Sequence, residues 1–476
     1  MSMHDLKHKC GVFGIFGIEE ASVLTTLGLH SLQHRGQEGA GIVSFDGEQF
    51  HAIRREGLVG DNFNDTDTLS KLPGRQAVGH VRYSTTGESS LENIQPLFAN
   101  LAAGGFACAH NGNLTNTLSL RNELVQTGSI FHTTSDTEVI LQLVARSKKH
   151  KIVDKIADAL DQITGAYSLI IMTNKKLIGI RDPFGIRPLV LGKKDGAYVL
   201  ASETCALDIM GATTIRDIKN GEMVVISESG VESIQLSSLH NERPCIFERI
   251  YFARPDSIIG GKTVYSYRKQ LGIQLANEHA IDADVVVPIP DSGVPAALGY
   301  AQVSGVPFEL GIIRNHYIGR TFIEPSQTIR QFGVKLKHSV NHSVIKGKRV
   351  VLIDDSLVRG TTANKVVRMI FEAGATEVHL GISSPPIKYP DFYGIDTPRS
   401  ADLLAANQSL EEMTSTIGAT SLFFLSLSGT YQAMGVPHRH SSVPEFTDHC
   451  FTGDYPINVD ELLALDRVCE PHGRHA

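Results

Sequence analysis

Apolar and polar positions change texture near the middle of the chain. Up to about residue 240, short apolar runs are broken by glycines: CGVFGIFG from Cys10, AGIVSF from Ala40, GRQAVGHVRYSTTG from Gly74, GAYSLIIMTNKKLIGIRD from Gly165 and GAYVLAS from Gly196. Runs of this length bounded by turn residues predict strands. Between them, TSDTEVILQLVARSK puts Val139, Ile140, Leu143 and Val144 on one helical face, with Thr134 or Ser135 available as a cap. The mixture predicts an α+β unit with antiparallel sheets. The polar stretch SIQLSSLHNERP, residues 233–244, reads as a linker. Beyond it, ADVVVPIP and KRVVLIDD are each followed by a helical pattern, and EVHLGIS continues the alternation, which predicts a parallel sheet.

Length and composition narrow the class. A chain of 476 residues, 42% hydrophobic and 20% charged, accommodates two or three domains with a large core. With 44 basic against 51 acidic residues the net charge is -7, which argues against a nucleic-acid coat or a polybasic membrane binder. The opening MSMHDLKHK has no apolar core, so no secretory signal is read and a cytoplasmic protein is expected. Gly418–Pro437, a long uncharged stretch, is too rich in Ser, Thr, Gly and Gln for a membrane span. The six cysteines form no C-x-x-C pair, which suggests reduced thiols rather than a disulfide framework or a zinc ribbon. His438, His440 and His449 read as a solvated C-terminal surface.

Candidate chemistry is densest in VVLIDDSLVRGTTANKVVRMIFEAGA, residues 350–375. Four apolar residues end in Asp354 and Asp355, and a loop with Gly360, Thr361 and Thr362 follows. Val366, Val367, Ile370 and Phe371 then mark a helix that Gly374 can end. Ligands of open α/β sheets sit at the carboxyl ends of strands, where the next helix offers N–H groups to a phosphate. The carboxylates suit ribose hydroxyls or a hydrated Mg²⁺. On the two aspartates alone, a solvated turn is an equal reading. There is neither a P-loop nor a G-x-G-x-x-G fingerprint. One unit upstream, DVVVPIP runs into Asp291-Ser292-Gly293-Val294-Pro295, with a helix expected from about Ala296. Gly293 allows close backbone approach to an anion, and Ser292 can face a metal or a phosphate oxygen. Taken alone this is an ordinary turn. Residues 314–338, with five basic residues and only Glu324 as an acid, fit either a solvated loop or a basic lid.

The 350–375 string resembles the phosphoribosyl pyrophosphate (PRPP) motif of type I phosphoribosyltransferases. The resemblance implies that Asp354 and Asp355 face the ribose and that Ser356, Arg359, Gly360, Thr361 and Thr362 hold the 5′-phosphate. It also implies that Asp291, Ser292 and Gly293 form the pyrophosphate loop, with Ser292, Asp354 and Asp355 at a Mg²⁺ site, and that residues 314–338 act as the lid.

By itself Cys10 reads as an inert core thiol. Three companions change that reading: LQHRGQEGAG at 32–41, GHVRYSTTG at 79–87 and HNGNLTN at 110–116, with SDTE at 135–138 behind them. Together they resemble the glutaminase domain of N-terminal-nucleophile amidotransferases over residues 10–240. A thiol with a free α-amino group on its own residue carries a built-in base titrating at about 7.7 to 8.0. Residues 1–9 would then be a propeptide, and the intact chain inactive toward glutamine. The resemblance implies an oxyanion hole from Asn111 and the Gly112 N–H. Arg82 would bind the glutamine carboxylate and Asp136 its ammonium, supported by Thr85 and Tyr83, and Arg35 would organise the cysteine terminus.

Joined by PCIFERIYFARPDS at 244–257, the halves resemble the glutamine PRPP amidotransferase family. The implied architecture is a four-layer αββα glutaminase domain (10–240) followed by an α/β phosphoribosyltransferase domain (245–476) with a C-terminal helical extension. The implied reaction is glutamine hydrolysis at Cys10 and passage of ammonia to PRPP, giving 5-phosphoribosylamine, glutamate and pyrophosphate, the first step of purine synthesis. A homotetramer inhibited by purine nucleotides is implied too. A PRPP-sensing regulator would have no need of Cys10, Arg82, Asn111 and Asp136 together, and a sugar-phosphate amidotransferase would lack LIDDSLVRGTT. Some family members hold a [4Fe-4S] cluster on four cysteines. Here Cys245 and Cys450 match two of them, but Asp391 and Thr447 stand at the others, so no cluster is expected. Cys469 is a remote substitute ligand, and Cys108 and Cys205 read as core thiols.

Overall fold

The computed structural model describes residues 10–83, 91–236, 240–315, 338–395 and 399–468. Two antiparallel sheets stack face to face in the N-terminal half. Strand β1 (Gly11–Phe16) lies inside a seven-stranded sheet, between β2 (Gln76–Arg82) and Ala197–Ala201, in register Gly11 to Val81 and Phe13 to Ala201. In the six-stranded sheet β3 (Gly104–Leu114) pairs with β4 (Gly165–Thr173), His110 opposite Leu169 and Gly112 opposite Tyr167. Val12, Val78, Ala107, Ile170, Leu200 and Val224 fill the space between the sheets.

Helices close both outer faces. Helix α1 (Ala21–Ser31) covers the first sheet, burying Leu29 against Phe13 and Ala40. Helix α2 (Thr137–Arg146) and helix Ile152–Leu160 cover the second, with Val139, Ile140, Leu143 and Val144 buried as the periodicity predicted. Each sheet is therefore covered on both faces, which is why β1 and β4 are apolar without alternation. The result is the αββα layering.

Two local expectations are corrected. The residue before α2 is Asp136, not Thr134 or Ser135, and its side chain does not cap the helix, because its carboxylate accepts the Leu114 N–H at 3.0 Å instead. The linker starts later than its polarity suggested: Ser233–Gln235 belong to strand Gly230–Gln235, where pairing with Glu222–Ser227 satisfies their backbone groups.

The chain then runs along the first half, the Arg243 and Cys245 N–H groups donating to the carbonyls of Phe184 and Ile186, before a π-helical turn at Glu248–Phe252. The C-terminal half is a four-stranded parallel sheet: β5 (Val285–Pro288), β6 (Arg349–Asp354), β7 (Glu377–Ile382) and Ser421–Phe424, in that order. Helices α3 (Val264–Glu278) and α4 (Val294–Ser304) bury Leu271, Leu275 and Tyr300 on one side. Helix α5 (Thr361–Glu372) buries Val366, Val367 and Ile370 on the other, against Met413 and Ile417 of helix Leu410–Ile417. Helix α4 begins at Val294, ahead of the expected Ala296, because Pro295 in the first turn removes only an N–H that has no helical partner there. Helix Asp460–Val468 closes the described chain.

Candidate active sites

Cys10 precedes β1 and is buried, with its thiol 3.5 Å from the Tyr83 carbonyl. Burial pushes the thiol up to about 11; Arg82 opposes this, while Asp136 and Glu38 add to it, so all three carry their charge close by. Arg82 ends β2 and is buried. Asp136 is buried as well. Burial raises its carboxyl, but His110 and the N–H groups of Leu114 and Thr137 outweigh this and hold it below the usual carboxylate range. Leu114 lies three residues beyond Asn111 on β3, so the Asp136–Leu114 bond ties the acid to the HNG strand.

Asn111 has zero exposure, and neither its amide nitrogen nor its amide oxygen has a hydrogen-bond partner among the described residues. An unmade buried hydrogen bond costs about 1 to 3 kcal/mol, so an amide held this way is poised for a ligand. Gly112 follows with φ at 148°, in the region that favours glycine. The structure therefore brings Cys10, Arg82 and Asp136 together and ties Asp136 to the strand of Asn111 and Gly112. Thr85 and the expected propeptide 1–9 lie outside the described residues.

Arg35 holds the cysteine's backbone. Its Nε donates to the Cys10 carbonyl at 3.3 Å, while Nη1 meets Glu203 at 2.5 Å and Nη2 meets Glu248 at 2.8 Å. Glu203 also receives His34 at 2.8 Å and the Ser257 hydroxyl at 2.6 Å. Glu248 contacts Arg187 as well, at 3.3 Å. No motif flagged Glu203, Glu248 or Arg187, because each is an isolated charge 152 to 213 residues from Arg35.

The second site sits at the carboxyl end of the parallel sheet. Asp354 ends β6 and accepts the Asp355 N–H at 2.9 Å. Asp355 is buried, and hydroxyls of Ser292 and Ser356 donate to it. Burial raises its carboxyl; those hydroxyls and the nearby Arg268 guanidinium oppose the rise without cancelling it. The loop carrying Ser292 is pressed onto β6: the Ile289 N–H bonds the Ile353 carbonyl at 2.9 Å, and any Cβ on Gly293 would collide with that same carbonyl. Asp291 is exposed and paired with Arg314. Beyond Ser356 the chain passes Arg359, 3.8 Å from Asp402, to Gly360 at φ 74°, where α5 starts with Thr361 and Thr362. Ser292, Asp354 and Asp355 offer hard oxygen donors of the kind Mg²⁺ prefers. Of the expected lid, residues 316–337 lie outside the described residues.

The four positions compared with cluster ligands converge, but two are otherwise engaged. Thr447 bridges to Cys245 and donates its hydroxyl to the Arg243 carbonyl at 2.5 Å. Asp391 accepts the N–H groups of Tyr393 and Ile395, each at 2.8 Å, and faces His449 at 2.9 Å and Arg187 at 3.7 Å. His449 is therefore buried, not solvated as its neighbourhood in sequence suggested, because Asp391 supplies its partner. This donor set does not fit a four-thiolate cubane. Cys469 lies outside the described residues; Cys108 and Cys205 are buried. Among the described residues no helix is long and apolar enough to cross a membrane.

Comparison with known proteins agrees with both halves. Residues 80–208 match a glutamine amidotransferase domain and residues 269–384 a phosphoribosyl transferase domain. The chain is 59% identical over 461 residues to the amidophosphoribosyltransferase of Rhizobium etli, covering 95% of this chain and 93% of that one. It is 50% identical over 466 residues to the Bacillus subtilis enzyme, covering 98% of each. The solved structure of B. subtilis glutamine PRPP amidotransferase, complexed with ADP and GMP, superposes with a TM-score of 0.90 at 50% identity, over 94% of this chain and 98% of that one. On these grounds the chain belongs to the amidophosphoribosyltransferase family, a glutamine amidotransferase domain joined to a phosphoribosyltransferase domain.

Proposed function

We propose a division of chemistry between the two sites. The chain is a glutamine-dependent amidophosphoribosyltransferase of purine biosynthesis. With residues 1–9 removed, the α-amino group of Cys10 takes the thiol proton while sulfur attacks the glutamine carboxamide carbon. Asn111 and the Gly112 N–H stabilise the oxyanion, and Arg82 and Asp136 hold the α-carboxylate and α-ammonium, with Thr85 and Tyr83 beside them. Collapse, with the α-ammonium returning the proton to the leaving nitrogen, expels ammonia, and water cleaves the thioester to glutamate.

In the second half Asp291, Ser292 and Gly293 receive the pyrophosphate of PRPP, and Asp354 and Asp355 the ribose. Ser356, Arg359, Gly360, Thr361 and Thr362 hold the 5′-phosphate, with the 314–338 lid over the site. Ammonia arriving through the interior displaces pyrophosphate from C1. Ser292, Asp354 and Asp355 would hold Mg²⁺, which neutralises charge on the leaving pyrophosphate. The domains are taken as 10–240 and 245–476. The protein works in the cytoplasm as a homotetramer inhibited by purine nucleotides, as the ADP and GMP bound to the B. subtilis relative suggest. It needs no [4Fe-4S] cluster.

The fully buried amide of Asn111, without a hydrogen-bond partner among the described residues, is the observation that carries the glutamine half of this reading. Glutamate release measured with and without PRPP tests the whole. Coupled release accompanied by 5-phosphoribosylamine is expected; glutamate release indifferent to PRPP would make the chain an autonomous amidase.

A further inference from the structure

The strand bearing Asn111 and Gly112 is held from outside its own half. Loop Asp391–Ile395, between β7 and strand Ser421–Phe424, lies directly against it. Asn113 donates its side-chain amide to the Phe392 carbonyl at 2.9 Å, and Arg187 Nε donates to the Tyr393 carbonyl at 2.7 Å. Gly394, at φ 106°, comes so close that a Cβ there would lie 2.9 Å from both Cα and the carbonyl carbon of Gly112. On its other side Gly112 abuts the Ala166 backbone of β4.

Asp391 gives this loop its shape. One carboxylate oxygen gathers the N–H groups of Tyr393 and Ile395 at 2.8 Å each, and the other lies 2.9 Å from His449 and 3.7 Å from Arg187. The contact has a physical consequence. Gly112 has no Cβ of its own to restrict its peptide planes, so its neighbours must set the direction of its N–H. An oxyanion donor acts only when it is aimed, before reaction, at the place where charge develops.

We propose that loop 391–395 of the phosphoribosyltransferase half is a positioning element of the glutamine site. Asp391 fixes the loop, and Gly394, packed on Gly112, aims the Gly112 N–H at the developing oxyanion. The proposal rests on the reading of Asn111 and Gly112 as the oxyanion hole.

The test separates oxyanion stabilisation from ground-state binding. Glutamate γ-semialdehyde forms a tetrahedral thiohemiacetal: the Cys10 sulfur bonds the aldehyde carbon, the thiol proton moves to the Cys10 α-amine, and the aldehyde oxygen becomes an oxyanion. Glutamate occupies the same pocket without that step. In Asp391→Ala and Gly394→Ala, aldehyde binding relative to glutamate should weaken about ten- to a hundredfold, the range for loss of one charge-assisted contact. The kcat for glutamine should fall in parallel, KM for glutamine should change less than about twofold, and ammonia-dependent synthesis should persist. Asp391→Asn keeps an acceptor for both N–H groups and should restore most of the loss. If Asp391→Ala loses ammonia-dependent synthesis as well, Gly394→Ala decides. Equal weakening of aldehyde and glutamate, or no weakening of either, overturns the proposal. Asn111→Ala is the control. If it weakens the aldehyde while the loop variants do not, the loop proposal alone falls; if it also leaves the aldehyde unaffected, the oxyanion reading falls and takes the proposal with it.

Discussion

Cys10 is placed where burial suppresses its reactivity, so the proposed removal of residues 1–9 has a measurable consequence. Burial pushes the thiol up to about 11, so at pH 7 only about one molecule in ten thousand carries thiolate, a cost of about 5 kcal/mol. Once Cys10 is the first residue, its α-amino group titrates at about 7.7 to 8.0, and roughly a tenth of it is free base at pH 7. The released amine therefore raises the supply of base at sulfur by about a thousandfold. The perturbation is to compare the 476-residue chain, with residues 1–9 confirmed by intact mass, against a chain that begins at Cys10. The assay is alkylation by a chloroketone analogue of glutamine between pH 5 and 11. The thiol's pKa is raised, so in the full-length chain the rate should climb about tenfold per pH unit toward pH 11. In the shorter chain it should level off near pH 8 and exceed the full-length rate about a thousandfold at pH 7. Burial pushes Cys205 up to about 12 and Cys108 higher still, so neither should compete for the reagent. Full-length protein that levels off near pH 8 at the same rate would refute the reasoning, because sulfur would then need no released amine.

Three further outcomes are expected. Cys10→Ala should abolish glutamine-dependent synthesis and spare ammonia-dependent synthesis; equal loss of both in folded protein would sink the two-site reading. Asp354→Asn with Asp355→Asn should impair synthesis from either nitrogen donor while glutamine binding survives, each lost carboxylate contact costing about 1.5 to 3 kcal/mol, roughly tenfold or more; unchanged PRPP kinetics would show these carboxylates to be idle. Protein purified without oxygen should be colourless, free of stoichiometric iron and sulfide, and active in air, because Asp391 and Thr447 are committed to other partners; about four irons per chain would contradict this and point to Cys469.

What was legible in the chain was local. β1, β2, β3 and β4 sit where short apolar runs lie between turn residues, and the Val366, Val367, Ile370 stripe of α5 is buried as its spacing demands. The Asp354–Asp355 string was legible because strand, acid pair, loop and helix are contiguous in sequence. Errors arose where a side chain's partner lay far away. Asp136 turns to Leu114 rather than capping α2, and His449 is buried because Asp391, 58 residues upstream, receives it. Ser233–Gln235 look like linker from polarity alone, but an exposed edge strand has the same polar composition. Glu203 and Glu248 could not be found from pattern, since a lone buried carboxylate leaves no periodic trace.

Buried charges, foreseen and unforeseen, explain how the two halves can share geometry. Arg35, Arg187, Glu203, Glu248 and Asp391 are all buried. A buried ionic array is a poor source of stability, because desolvation cancels much of its Coulomb gain, and packed apolar side chains would often serve as well. What the array does supply is fixed direction. Arg35 reaches the Cys10 carbonyl with one nitrogen while Glu203 and Glu248 hold its other two. Glu248 also holds Arg187, whose Nε fixes the Tyr393 carbonyl beside Gly112. A single carboxylate on the connecting π-helical turn thus touches both the support of the Cys10 backbone and the support of the loop packed on Gly112. Apolar replacements of equal volume would fill the space but would let the Cys10 carbonyl and the Tyr393 carbonyl rotate independently. On this geometry the segment joining the two halves is a shared anchor for the Cys10 carbonyl and for the loop packed on Gly112, and what its charge contributes there is orientation rather than stability.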